Sequence, residues 1–281
     1  MAAYLLAKEL LNEPVADRQA FYDAASTVTE TRNHLPYGRS NIKDDLRATK
    51  NISLFRGRIT RKISESNEMR DLLPKPTRPI DRSAALAAAA VTAGAGFCDE
   101  HAATAMFLHA PKLRDGDTLK ITSTDEGTHT VTRLTLHDAP SALLLDGWKS
   151  GPVVKQRDSS STPDRSSAEA SISYGNAKQA SQKFKSLLGG AQSLFGPEWI
   201  ENEVKKSEPP YKNAKLDSQS TVSHSFANRA RIAIERDAAE AKTRATEIAR
   251  DEMGLPEKEA KEFSKIIVRT AMWLDKPTRR I

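Results

Sequence analysis

The sequence predicts an α+β protein in which one helix packs on a small antiparallel sheet and a mostly helical C-terminal region follows. An apolar helical stretch begins at Cys98 or Asp99 and runs to about His109, where Pro111 stops it. Three runs typical of β-strands come next, at 118–123, 128–136 and 142–146. The Asp, Gly and Pro residues between these runs predict turns at 125–127 and 138–140, and hence an antiparallel meander.

The N-terminal segment, residues 1–82, is predicted to be an arm that is partly disordered. Short helices are expected at 3–12 and 16–25, where apolar residues cluster on one helical face. The rest of the segment is polar and contains many helix breakers, including a proline-rich run at 74–79. Within that polar stretch, only 52–63 indicates a short strand or helix.

An α+β module is predicted at 83–155. Ser83 is a candidate N-cap for an alanine-rich helix over 84–92, and Gly94 and Gly96 then force a turn. Cys98 opens the next helix, and the acidic residues that follow it suit the positive end of the helix dipole.

Residues 156–175 are predicted to be a disordered linker, because their Ser-, Thr-, Asp- and Arg-rich composition can bury little apolar surface. Residues 176–281 are predicted to form a helical C-terminal region. Its helices are expected at 176–188, from Pro197 onward, from Ser223 or Ser225 to Met253, and at 257–274. Their apolar stripes favour packing on the rest of the protein, and docking of another chain is the alternative.

Composition narrows the functional classes. The chain of 281 residues has a net charge of +6, but charges of both signs are scattered, so we expect no nucleic-acid partner. A single cysteine excludes an internal disulfide and a multi-cysteine zinc site. No stretch approaches the roughly 20 apolar residues that span a bilayer, and no cleaved secretory signal is evident. We therefore expect no transmembrane segment, and we also expect no metal and no cofactor. A dinucleotide cofactor in particular is not expected, because Gly94 and Gly96 lack the third glycine of a dinucleotide-binding loop.

Three residues carry the predicted chemistry: Cys98, His129 and Asp146. A thiol, an imidazole and a carboxylate in this order are the components of a cysteine-nucleophile triad. Cysteine attacks as the thiolate, which a helix N-terminus and a nearby imidazolium both stabilise. We therefore predict that Cys98 is the nucleophile, that His129 is the general base and later the acid, and that Asp146 orients His129.

Other interpretations of these residues stay open. A lone thiol is often a small buried hydrophobe, and each of the other two residues taken singly is an ordinary strand or turn residue. His101, one helical turn beyond Cys98, is a rival base. Glu100 can orient an imidazole or suit the helix dipole, and Trp148 can anchor the core or line a cleft. A zinc site is a further alternative, with Cys98, His101, His109 and His137 as its ligands.

Three short elements carry a resemblance to a known group of enzymes. They are Gly96-Phe97-Cys98 at a helix start, His129-Thr130-Val131 on a strand, and Asp146-Gly147-Trp148 after an apolar run. On these elements, over roughly 94–154, the chain resembles papain-fold and transglutaminase-like Cys-His-Asp thiol enzymes, in the compact form found in type III secreted virulence effectors of bacteria. It departs from them at Phe97, where relatives often carry Asn or Gln, and no upstream glutamine completes an oxyanion hole.

The resemblance implies a secreted bacterial effector that hydrolyses a host protein as a cysteine protease. It implies delivery into the host-cell cytoplasm without a cleaved signal peptide, with export information in residues 1–82 and a secretion chaperone as a candidate partner there. If the protein is not exported, a cytoplasmic location is expected. Glutamine deamidation or transglutaminase-type acyl transfer on a host protein is the first alternative, because it uses the same thioacyl chemistry. A non-catalytic helical interaction protein is the alternative from another class.

Overall fold

Helices dominate the chain, and strands concentrate between residues 118 and 173. The computed structural model describes residues 1–13, 15–124, 128–137, 141–207 and 216–277, with the backbone alone at 163–169. The helices among these residues are α1 (Ala2–Leu10), α2 (Arg18–His34), α3 (Lys43–Ala48), α4 (Ile52–Glu65), α5 (Asn67–Asp71), α6 (Pro79–Ala93), α7 (Cys98–His109), α8 (Tyr174–Leu194), α9 (Pro197–Lys206), α10 (His224–Arg236), α11 (Ala238–Asp251) and α12 (Glu257–Ala271). The strands among them are β1 (Gly38–Arg39), β2 (Ala95–Gly96), β3 (Thr118–Thr124), β4 (Thr130–Thr135), β5 (Leu143–Leu145), β6 (Val154–Lys155) and β7 (Pro163–Ser173).

The fold is α+β, and its main sheet is antiparallel with five strands in the order β6-β5-β4-β3-β7. The meander of β3, β4 and β5 lies where the sequence predicts it, with Ile121 opposite Thr132 and Thr132 opposite Leu145. The two predicted turns, at 125–127 and 138–140, fall outside the described residues.

The prediction of a disordered linker at 156–175 is wrong. Most of that stretch is β7, which pairs with β3 and places Ile172 opposite Leu119. Ala170 and Ile172 are buried in the core. The composition argument fails because it treats the segment alone, whereas β3 supplies backbone hydrogen-bond partners and an apolar surface for it.

Helix α7 has the predicted bounds, but the helix before it starts earlier than expected. Arg78, not Ser83, is the N-cap of α6, and Pro79 occupies the first helical position. Proline breaks a helix interior but fits that first position, because the N–H it lacks would have no helical partner there. The alanines of α6 and α7 are almost all fully buried, which lets these two helices and the sheet approach closely. Thr132 of β4 donates to the carbonyl of Ala102 at 2.6 Å.

The N-terminal segment is not a disordered arm. Residues 1–13 and 15–82 contain α1 to α5 and the start of α6, and Tyr4 and Leu6 of α1 are fully buried. Lys8 is also fully buried and donates to Asp158 at 3.1 Å, and the Tyr4 hydroxyl donates to the same carboxylate at 2.5 Å. Average polarity misleads here because such polar side chains are buried in pairs, which offsets much of their desolvation cost.

A short parallel pair links the N-terminal segment to the turn before Cys98. Strand β1 pairs with β2, with Gly38 opposite Ala95. The pairing continues on both sides, where Tyr37 N–H donates to Gly94 and Ser40 N–H donates to Gly96, each at 2.9 Å. This places residues 37–41 beside the start of α7.

The C-terminal helices pack on α1 and on the sheet layer. Helix α8 continues past 188, where the sequence predicts its end, and includes Gly189 and Gly190. A Cβ at Gly190 would lie 2.7 Å from a methyl group of Leu72, so this glycine lets Leu72 pack against the helix. The long helix predicted up to Met253 is divided at Asp237, which caps α11. One hydrophobic core includes Leu6, Phe107, Ile172, Phe184 and Ile248, and so crosses all four predicted segments.

Candidate active site

Cys98 is the first residue of α7, and its surroundings fix the turn that precedes it. The thiol is half-buried. The backbone N–H of Phe97 donates to Oε2 of Glu100 at 2.8 Å, which holds the helix start in place. A Cβ at Gly96 would lie only 2.5 Å from Cβ of Glu100, so this position requires glycine. The helix begins at Cys98 because a carboxylate and a glycine close the turn that precedes it.

The structure brings His129 and Asp146 into direct contact. His129 lies just before β4 and Asp146 just after β5, and these neighbouring antiparallel strands place both residues at one end of the sheet. Nε2 of His129 is 2.7 Å from Oδ2 of Asp146, and the two side chains are 7% and 5% exposed. The geometry is that of a carboxylate that orients an imidazole through one ring nitrogen.

Asp146 is held as an anion. Its Oδ1 accepts the backbone N–H groups of Trp148 at 3.1 Å and Lys149 at 2.9 Å. Burial raises the pKa of Asp146, but the charge and hydrogen bond of His129 and the Lys149 contacts outweigh burial and lower it to about 2. The carboxylate therefore carries its charge at neutral pH.

His129 is correspondingly held as a cation. Burial lowers the pKa of His129, but the charge and hydrogen bond of Asp146, followed by the Cys98 thiol, raise it to about 9. The influence of Cys98 places the thiol within electrostatic reach of the ring. The other ring nitrogen, Nδ1, is buried and makes no hydrogen bond to any described residue. No other group therefore competes with the thiol for this nitrogen. An imidazolium in this position favours the thiolate form of a neighbouring cysteine.

Trp148 covers this pair. Its ring centroid lies 5.0 Å from that of His129, and its indole Nε1 donates to Oδ1 of Asn41 at 3.3 Å. Trp148 is 4% exposed, so the indole shields the imidazole from water and strengthens its contact with Asp146. Sequence reasoning anticipates Trp148 as a core or cleft residue but misses Asn41, which no local pattern marks.

Arg61 of α4 is a second neighbour that the sequence does not reveal. Its guanidinium donates to Oε1 of Glu100 at 3.1 Å and to Oδ2 of Asp99 at 2.9 Å, and it lies over the ring of Phe97. Burial lowers the pKa of Arg61, but the charges of Glu100, Asp99 and Cys98 raise it overall. Arg61 therefore offsets the two carboxylates that would otherwise oppose a thiolate at this helix start.

Two of the histidines considered as alternatives, His101 and His109, lie at different points of α7. His101 is fully buried, and a Cβ at Gly147 would lie 3.4 Å from its Nδ1. His109 ends α7 about 16 Å from Cys98 by helical rise, and its Nδ1 shares a hydrogen bond with Thr27 at 2.9 Å. Burial and Lys112 lower the pKa of His109 to about 4. In the part of the chain that the structure describes, no group of three or more His, Cys, Asp and Glu residues is arranged to hold a metal ion.

Two further findings concern membrane-spanning helices and similarity to known proteins. No helix among the described residues is both long enough and apolar enough to cross a membrane. Comparison with known proteins finds no matching family model, no matching curated protein and no matching solved structure.

Proposed function

We propose that this protein is a cysteine-nucleophile enzyme that acts on a carbonyl group of a protein substrate. Cys98 is the nucleophile, His129 transfers the proton and Asp146 orients His129. The observation that supports this most strongly is the buried 2.7 Å contact between His129 and Asp146 at one side of a helix that starts with the chain's only cysteine. A histidine whose pKa is held near 9 beside a thiol is what a resting thiolate–imidazolium pair requires.

The reaction follows from these positions. The Cys98 thiolate attacks the substrate carbonyl carbon, and the carbonyl electron pair moves onto oxygen to give a tetrahedral oxyanion. The backbone N–H of Cys98 has no carbonyl partner within the first turn of α7 and can donate to that oxyanion. When the oxyanion collapses, the carbon–nitrogen bond breaks, and His129 gives its proton to the departing amine. This step leaves a thioester on Cys98.

The fate of the thioester decides the reaction class. His129, now neutral, removes a proton from water, and the resulting attack on the thioester carbon releases an acid and regenerates the thiolate. With a peptide bond as substrate this outcome is proteolysis, which is our first choice. With a glutamine side chain the same steps give deamidation, and attack by an amine in place of water gives transamidation. Mass spectrometry of a treated protein substrate separates the three, as chain cleavage, conversion of amide to acid, or a new cross-link.

The role as a secreted effector with a host-protein substrate stays a prediction, because it depends on the resemblance of three short elements. The chemistry of the site can be tested without a substrate. We would measure the rate of iodoacetamide alkylation of Cys98 from pH 5 to pH 9 in the wild type and in His129→Ala. Rapid alkylation near pH 6 that slows in His129→Ala is the expected result, because the imidazolium stabilises the thiolate.

The chain offers a matched control for this measurement. His224 forms a second histidine–carboxylate pair, with Nδ1 at 2.7 Å from Oδ2 of Asp275, and its side chain is 78% exposed. His224→Ala should leave the alkylation profile of Cys98 unchanged. A thiol that reacts only after denaturation, or that reacts equally in the wild type and His129→Ala, would overturn the proposal and favour a non-catalytic interaction protein.

A further inference from the structure

The backbone carbonyls of the loop that begins at Asp146 all face hydrogen-bond donors. Residues 146–151, called the 146–151 loop below, lie outside the helices and strands. Every one of their six carbonyl groups lies within 3.5 Å of a hydrogen-bond donor. The carbonyl of Ser150 accepts from Thr221 N–H, and that of Trp148 accepts from Arg39. The remaining four face one side chain, Arg32.

Arg32 lies in the last turn of α2, and its guanidinium is directed at the loop. Its Nη2 donates to the carbonyls of Lys149 at 2.8 Å and Gly151 at 3.1 Å. The carbonyl of Gly147 lies 3.4 Å from Nε, and that of Asp146 lies 3.5 Å from Nη2. Among the described residues, no carboxylate oxygen lies within ion-pair distance of Arg32. A planar guanidinium can serve several acceptors at once in a fixed geometry, which a lysine cannot do.

The loop backbone in turn fixes the orientation of the Asp146 carboxylate. Oδ1 accepts N–H groups from Trp148 and Lys149, which are loop residues, and Oδ2 then points at His129. The indole that covers His129 belongs to the same loop. Movement of the loop would therefore turn the carboxylate and move the indole together. Arg39 also touches the loop, but its guanidinium is already paired with Asp45 at 2.7 Å.

We infer that Arg32 is a positioning residue, which clamps the 146–151 loop through its carbonyls and so holds Asp146 against His129. Its importance for catalysis rests on the proposed function, whereas its effect on the His129–Asp146 pair does not. The clamp comes from α2, in the segment that the sequence predicts to be an arm. The site is therefore built jointly by the N-terminal segment and the sheet.

The test compares Arg32→Gln with Arg18→Gln. Arg18 is the first residue of the same helix, about 21 Å from Arg32 along the axis, and it pairs with Glu9 and Glu252 away from the loop. We would follow the proton resonances of the His129 ring by NMR as a function of pH, assigned by their loss in His129→Gln. In Arg32→Gln the titration midpoint should fall by about one pH unit. Cys98 alkylation at pH 6 should also slow, because the imidazolium is then less well positioned beside the thiol. Arg18→Gln should change neither.

Arg32→Lys keeps the positive charge but loses the planar guanidinium that reaches several carbonyls at once. It replaces Arg32→Gln in the test if that variant does not fold. It should also lower the His129 midpoint. A wild-type midpoint in Arg32→Gln or in Arg32→Lys, or an equal change in Arg18→Gln, would overturn the clamp. Failure of the clamp leaves the proposed function intact if wild-type Cys98 still alkylates rapidly at pH 6. Conversely, the wild-type thiol could prove unreactive while Arg32→Gln still lowers the His129 midpoint. That result would reject the proposed function and support the positioning role of Arg32.

Discussion

Nε2 of His129 lies 2.7 Å from Oδ2 of Asp146, and neither side chain has much access to water. The two residues are separated in sequence by one strand, a turn region and a second strand. Antiparallel pairing of β4 with β5 brings them to the same end of the sheet. Because the ion pair is buried, each partner strongly shifts the pKa of the other. This relationship leads to measurable behaviour that does not require a known substrate.

The stability of the protein should fall as pH rises above neutrality. The pKa of His129 is raised from 6.5 to about 9 in the folded state, so its contribution to stability is complete below pH 6.5 and is lost as pH rises through about 9. The loss should be about 3 kcal/mol of unfolding free energy. Urea unfolding from pH 6 to pH 9.5 measures it. A wild type that loses no more stability than His129→Gln over this range would contradict the prediction.

Asp146→Asn should reduce thiol reactivity without unfolding the protein. The amide oxygen can still accept the N–H groups of Trp148 and Lys149, but a neutral side chain no longer stabilises the imidazolium. We expect alkylation of Cys98 at pH 6 to slow, because without the carboxylate charge burial lowers the pKa of His129 and depletes the imidazolium that stabilises the thiolate. The matched control is Asp275→Asn in the exposed pair with His224, which should alkylate at the wild-type rate.

Gly96→Ala should destabilise the turn that precedes Cys98. The added Cβ would lie 2.5 Å from Cβ of Glu100, which must move and release the N–H of Phe97. We expect a loss of about 1–3 kcal/mol, as for overpacking elsewhere. Gly189→Ala is the control, because nothing lies within 4 Å of its Cβ position and alanine favours a helix interior by about 0.5–1 kcal/mol. Thermal unfolding of both variants should give shifts of opposite sign, and equal shifts would refute the steric argument.

Lys8→Met should show that the N-terminal segment is part of the fold. Lys8 is fully buried between Glu13 and Asp158, and its removal leaves the buried Asp158 carboxylate with only the longer 3.8 Å ion pair to Arg157 among the described residues. Breaking such a pair costs about 3–5 kcal/mol. The control is Lys62→Met, where an exposed pair with Glu203 is worth about 0–1 kcal/mol. If residues 1–82 were a dispensable arm, urea unfolding would find the two variants equally stable.

Much of the module around the site follows from local sequence signals. The bounds of α7 follow from its apolar run and from Pro111. The strands β3 and β4 follow from their β-branched residues, and β5 follows from a short apolar run between turn residues. Ser223 caps α10 as expected, with its side chain accepting Phe226 N–H. These features depend on residues within a few positions of one another, so one sequence suffices to predict them.

The missed features depend on partners distant in the chain. Strand β7 forms because it pairs with β3. Helix α1 is buried because its Lys8 pairs with Asp158 and the C-terminal helices pack against it. Gly190 lies inside a helix, where it leaves room for Leu72 to pack closely. Local composition describes none of these partners, and it therefore predicts disorder or a helix stop where the tertiary structure provides a surface.

By itself, the sequence determined the identity and order of Cys98, His129 and Asp146, the helix that starts at the thiol, and the strands that flank the other two residues. Only the tertiary structure decided that Asp146 meets His129 with Oδ2, that Trp148 covers them, and that Arg61 and Arg32 reach the site from the N-terminal segment. The physical reason is one of range. Helix and strand formation depends on neighbours in sequence, whereas burial, ion pairing and the resulting pKa shifts depend on groups brought together by the complete fold.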